Sequence, residues 1–125
     1  MAAVATLIVD GANVVGSRPD GWWRDRAGAA ARLHARLRAA DLGYAEVVLV
    51  PEGKARAGVP AGSDERVHTV HAPADGDATI ADLARRAIAE DRRVVVVTAD
   101  RALAATVQDA GAEVVGPGWL LGQVT

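Results

Sequence analysis

The sequence predicts an α/β fold in which a parallel sheet is covered by helices on both faces. Three observations lead there. Val4 to Val9, Glu46 to Val50 and Arg93 to Val97 are short runs rich in β-branched residues and apolar at successive positions, as strands buried on both faces are. Between them lie stretches whose apolar residues recur at three and four positions, the helical period. Strands that alternate with helices in this way imply a parallel sheet joined by right-handed crossovers.

The elements follow in order. Val4 to Val9 is too short for a helix and ends in Asp10-Gly11, where the glycine permits a sharp turn as the chain leaves the core. Gly16-Ser17-Arg18-Pro19-Asp20-Gly21 is a loop with strong turn chemistry. A helix is expected from about Trp23 to Ala40, with Ala30, Leu33, Leu37 and Ala40 on its apolar face and Gly43 as its terminator. Glu46 to Val50 is the second strand, stopped by Pro51, and Glu52 holds the same post-strand position as Asp10.

Gly53 to Glu65, punctuated by Gly and Pro, is expected to be a loop, and Val67 to Val70 a shorter strand. The connection between these two strands lacks a convincing helix, so it fits the alternating pattern least well. After the turn Pro73-Ala74-Asp75-Gly76, Asp77 leads into a helix reaching about Glu90, with Ile80, Leu83, Ala84, Ala87 and Ile88 as its core stripe. Arg93 to Val97 is the clearest strand and ends in Thr98-Ala99-Asp100. A helix from Arg101 to Ala110 stops at Gly111, Ala112 to Val115 is the last strand, and Gly116-Pro117-Gly118 turns into Trp119-Leu120-Leu121 as a closing turn.

Composition narrows the class. The 125 residues fit one domain, 1–125, able to bury a core, and with half its residues hydrophobic the chain is not disordered as a whole. That core must be Ala, Val and Leu, because Phe is absent and aromatics make up only 3%. With no cysteine, disulfides and thiolate-held metals are excluded. The first residues lack the pattern of a signal peptide, and no apolar run approaches the ~20 residues that cross a bilayer. A cytoplasmic domain with no membrane partner is the expectation. The net charge of −2 argues neither for nor against nucleic acid, but the basic residues are almost all Arg, which grips phosphates bidentately.

Parallel strands deliver their carboxyl ends to one edge of the sheet, where ligands of open α/β sheets bind. Asp10 and Asp100 each follow a strand, and Asp77 begins a helix just after one, so three acids distant in sequence are expected at one rim. Like charges at close range raise one another's pKa unless a cation neutralises them. A hard divalent ion with several waters, Mg²⁺ above all, suits such a rim and would support phosphodiester hydrolysis. Each acid also has a simpler reading: Asp77 and Asp100 as helix N-caps, Asp10 as a loop acid beside a turn glycine.

Other chemistries find no support. The sequence has no phosphate-binding G-x-x-x-x-G-K-[ST] loop and no G-x-G-x-x-G after the first strand. Ala12 stands where an aspartyl-phosphate phosphatase or an integrin-type metal site needs Asp or Ser, and neither Ser17 nor Ser63 lies in a nucleophile elbow. His68 and His71, three apart on a strand, point to opposite faces and cannot chelate together. Trp22 and Trp23, next to Arg24 and Arg26, offer base stacking beside phosphate-binding charge, or else cover the end of the sheet.

V-D-G-A-N at Val9 to Asn13, G-D-A-T-I at Gly76 to Ile80 and V-T-A-D-R at Val97 to Arg101 resemble the three acidic blocks of the NYN domains of the PIN-like nuclease group, nearest to the YacP-like branch. The resemblance covers nearly the whole chain in the right order. It implies a PIN-like three-layer sandwich with strand order 3-2-1-4-5, so that Asp10 and Asp100 would be neighbours. It further implies a metal-dependent ribonuclease or RNA-processing role, with Asp10, Asp77 and Asp100 as ligands of Mg²⁺ or Mn²⁺. Asn13 would position Asp10 or a water, and Thr98 would orient the site through its hydroxyl. Two departures stand out: Ala78 and Ala102 occupy places where the group often carries further acids, which favours one ion over two, with Glu52, Asp75 or Asp82 as substitutes.

The reading is therefore an endoribonuclease in which Arg24, Arg26 and Arg101 hold phosphates and Trp22 stacks on a base. Its expected partner is single-stranded or structured RNA, with a homodimer left open. The alternatives are a non-catalytic RNA-binding module, suggested by Ala78 and Ala102, and a small-molecule phosphohydrolase using the same rim.

Overall fold

Ala5–Asp10 form β1, the central strand of the sheet, in a computed structural model that describes residues 4–124. It pairs in parallel with β2 (Glu46–Val50) on one side and β5 (Arg93–Val97) on the other. β4 (Val67–Thr69) extends the sheet beyond β2, and β6 (Glu113–Val115) extends it beyond β5, again in parallel. A sixth strand, β3 (Gly62–Asp64), pairs antiparallel with β4 at the edge. The full order is β3-β4-β2-β1-β5-β6. Counted over the parallel strands alone, this is the expected 3-2-1-4-5, with β3 as an addition.

Alternation along the strands divides the core into two layers. Leu7, Val9, Val47, Leu49, Val95 and Val97 face α1 (Gly11–Val15), α2 (Arg26–Ala39) and α5 (Pro117–Val124), meeting Val14, Leu33, Leu37 and Leu120. Ile8, Val48, Val50, Val94 and Val96 face the other way, onto Ile80 and Ala84 of α3 (Gly76–Ala89) and Leu103 and Val107 of α4 (Arg101–Ala110). Strands covered on both faces explain the unbroken apolar runs. Each buried Val, Leu or Ile contributes about 1.5–3 kcal/mol, so these small side chains suffice without Phe.

Four local expectations are corrected. Residues 11–15 form a helix at once after β1. Gly11 is needed for proximity: a Cβ there would lie 2.9 Å from the Val50 carbonyl oxygen, whereas its φ is not in the left-handed region. The long helix starts at Arg26, not near Trp23, because the Asp25 carboxylate caps it through the Gly28 N–H (2.8 Å), while Trp22–Arg24 form a separate 3-10 turn. Gly53 to Glu65 holds a 3-10 helix, Gly53–Gly58, and β3. That 3-10 helix packs on α2 and takes the place of the missing crossover helix; a Cβ on Gly58 would sit 1.9 Å from the Ala27 carbonyl oxygen. The closing turn is α5, whose Leu120 is fully buried. No helix among the described residues is long and apolar enough to cross a membrane.

Candidate active site at the carboxyl ends of the strands

Asp10 ends β1 at the centre of the sheet and is nearly buried, with 6% of its surface exposed. Its two carboxylate oxygens have different partners. Oδ1 accepts the Asn13 N–H (3.3 Å), which makes Asp10 the N-cap of α1, and Oδ2 accepts the Thr98 hydroxyl (2.9 Å). Thr98 lies in the same position after β5, next to β1. Its oxygen also accepts the Asp100 N–H (3.1 Å), so the hydroxyl proton is directed to Asp10. The Asn13 side chain adds a second bridge, its Oδ1 accepting the Ala99 N–H (2.8 Å). The ends of β1 and β5 are thus held together by side chains that both motifs supply.

Burial raises the pKa of the Asp10 carboxyl. The hydrogen bonds from Thr98 and Asn13 oppose this, and the charges of Asp77 and Glu52 add to it. Asp77, on the first turn of α3, is exposed, and its N–H donates to Asp75 Oδ1 (3.0 Å), the cap of that helix. Its pKa is raised by desolvation first and then by Asp100, Asp75 and Glu52. Asp100 caps α4 by accepting the Leu103 N–H (3.0 Å) on Oδ1. Asp100 is thus a cap as well as a rim acid; on α3 the cap is Asp75, which leaves the Asp77 carboxylate unused for capping.

Glu52 belongs to the same rim. Its Oε2 accepts the N–H of Gly76, and a Cβ at Gly76 would lie 3.2 Å from that oxygen and 4.0 Å from Asp10 Oδ1. A glycine at the start of α3 lets the two carboxylates flank one stretch of backbone. Pro51-Glu52 after an apolar strand was the sequence signal for this. Of the other substitute acids, Asp75 stays on the rim as a cap, whereas Asp82 pairs with Arg86 (2.8 Å) one turn further along α3. Ala78 and Ala102 line one cleft between α3 and α4 together with Asp77 and Arg85, so both missing acids would have faced the same space.

The donor chemistry suits a hard, oxygen-preferring divalent cation, which would offset both the burial that chiefly raises Asp10 and Asp77 and the smaller repulsion from neighbouring acids. The geometry sets a limit. Among the described residues, no three Asp, Glu or His side chains are grouped closely enough to hold one ion together.

The expected RNA-binding residues are placed unevenly. Arg26 stacks over Trp22, with its guanidinium 5.3 Å from the ring, and lines a cavity with Gly11, Ala12 and Glu52. Arg24 stacks over the exposed Trp23 at 5.8 Å, and Arg101 is exposed on the first turn of α4, next to Asp100. His71 is engaged by backbone: its Nε2 meets the Val59 carbonyl at 2.6 Å. His68 lies between Ser63 and Glu46.

No protein-family model matches the chain, and no curated protein does. Among solved structures, it superposes on Rae1 (YacP) from Bacillus subtilis. With a tryptophan-to-leucine variant of that protein the TM-score is 0.76 at 22% identity, covering 97% of this chain and 75% of that one. With another crystal structure of Rae1 it is 0.70 at 20% identity, over 99% and 74%. The fold is that of YacP. The YacP-like, PIN-like architecture therefore holds for the whole described chain, and the three acidic blocks occupy the end of the sheet to which its central strands lead.

Proposed function

We propose that this protein is a Mg²⁺- or Mn²⁺-dependent endoribonuclease that hydrolyses RNA phosphodiesters in RNA processing or decay. The observation that carries the reading is the gathering of Asp10, Glu52, Asp77 and Asp100 around one end of a YacP-like sheet. The carboxyl groups of Asp10 and Asp77 are raised first by burial and then by neighbouring acids, Asp77 and Glu52 for Asp10, and Asp100, Asp75 and Glu52 for Asp77. Asp10 and Asp77 would hold the ion directly, water completing its shell, and Asp100 or Glu52 would act through that water, as Mg²⁺ commonly allows. When bound, the ion supplies water activation and charge stabilisation at phosphorus. The chain's own residues do the rest. Thr98 and Asn13 fix the Asp10 carboxylate so that it needs no reorganisation, and Arg101, Arg24 and Arg26 hold flanking phosphates. Water attacks phosphorus in line, the bond to the leaving ribose oxygen breaks, and a proton passes to that oxygen.

The test is cleavage of a single-stranded RNA by purified protein with Mg²⁺ or Mn²⁺. Asp10→Asn keeps the cap and the fold, and is expected to lower metal-stimulated cleavage by at least a hundredfold. Undiminished cleavage in that variant rejects the proposal. A second reading, RNA binding without turnover, is favoured by Ala78 and Ala102 lining the cleft beside Asp77; it predicts salt-sensitive affinity and no chelator-sensitive cleavage.

A further inference from the structure

Beside the acidic rim, on the α2 face of the sheet, lies a cavity of about 130 Å³ whose apolar interior the proposed cleavage chemistry leaves unused. It is below the ~300 Å³ of pockets that take drug-sized ligands, and on the scale of a single flat ring system. Its lining is mostly apolar: Ala30 and Leu33 from α2, Ala55 from the 3-10 helix and the half-buried Trp22. Two charged residues, Glu52 and Arg26, complete it, and Glu52 is also one of the four rim acids. Trp22 is set in place from several sides. Its backbone N–H donates to Asp20 Oδ1 (3.2 Å), Arg26 stacks on its ring, and a Cβ at Gly16 would lie 3.6 Å from its indole.

We propose that this cavity is a base-binding subsite that takes one unpaired nucleobase of the RNA. The inference rests on the ribonuclease reading and extends it. An apolar slot with a pre-set indole favours a π-faced ring, and stacking of bases on aromatic side chains is, with phosphate electrostatics, a recurring contribution to single-strand affinity. Glu52 as acceptor gives that ring a hydrogen-bonding partner at the wall, beside the Arg26 guanidinium that the ribonuclease reading assigns to a phosphate. A few polar groups in an apolar lining mark small-ligand sites. Because Glu52 belongs to both cavity and rim, a base seated here brings its own phosphate to the carboxylates and sets which bond is cut.

The experiment uses the full chain and single-stranded RNA decamers carrying one 2-aminopurine, whose fluorescence falls on stacking, in low-salt buffer with EDTA so that no cleavage occurs. Wild-type protein is expected to quench the probe. Ala55→Leu, which fills the cavity, and Trp22→Leu, which removes the ring, should each weaken that quenching at least tenfold. Trp119→Ala, on α5, should leave it unchanged, and circular dichroism of each variant shows that it is folded. Absence of quenching by wild type, or quenching that survives both cavity variants, overturns the subsite. Cavity-dependent quenching without metal-stimulated cleavage keeps the subsite and removes the ribonuclease reading; cleavage with cavity-independent quenching does the reverse.

Discussion

Asp10 has to be considered with its surroundings, because the fold raises its pKa. In the unfolded chain this carboxyl ionises near its ordinary 3.8, whereas burial, Asp77 and Glu52 move the folded value upward. The native state therefore holds the proton more tightly. As pH rises from the ordinary value through the folded one, stability is lost, and above that window the whole penalty remains. In EDTA at neutral pH, Asp10→Asn should raise Tm above wild type, and the gap should close as pH falls to the ordinary carboxylate range. A variant with a lower Tm at neutral pH would show that the hydrogen bonds from Thr98 and Asn13 outweigh burial. A second residue-scale cost lies away from the site: the hydroxyl of the buried Thr69 has no hydrogen-bond partner among the described residues. Thr69→Val removes that burdened group at nearly equal volume, and is expected to add about 1 kcal/mol in urea denaturation; a loss of similar size would mean the hydroxyl has a partner in solution.

At the scale of elements, close backbone approach explains what periodicity does not. The β2–β4 connection has no α-helix, and the 3-10 helix Gly53–Gly58 reaches α2 only because Gly58 presents no side chain to the Ala27 carbonyl. Gly58→Ala should destabilise the protein by about 1–3 kcal/mol, the usual cost of overpacking, measured as a lower urea midpoint. An unchanged midpoint would mean that the segment lifts off α2 freely. Since Ala55 of this 3-10 helix lines the base-sized cavity, the same packing holds that wall in place.

At the scale of the molecule, strands buried on both faces under helices were legible because β-branched runs and helical spacing express burial directly. The strand order came only from the resemblance of the three acidic blocks to the NYN domains. Asp10, Asn13, Thr98 and Asp100 were legible as motifs following strands, and the hydrogen bonds from Thr98 to Asp10 and from Ala99 to Asn13 join the first and third of them. Three features were not legible. β3 is polar and pairs through its backbone, so no side-chain pattern announces it. α1 is only five residues, too short to show a helical period. The cavity is made by residues from β2, α1, α2 and both 3-10 segments, and no local window contains it. Glu52 was visible but ambiguous, because its membership of the rim depends on Gly76 coming up against it from the other side of the sheet.

The central claim is that these separated acids gather one divalent ion. Crystals soaked in Mn²⁺ and measured at its absorption edge test this directly. The account predicts a single anomalous peak within ligating distance of the Asp10 and Asp77 carboxylates, absent from Asp10→Asn crystals treated alike. Manganese bound only elsewhere on the surface, or a peak that persists in the variant, would contradict it.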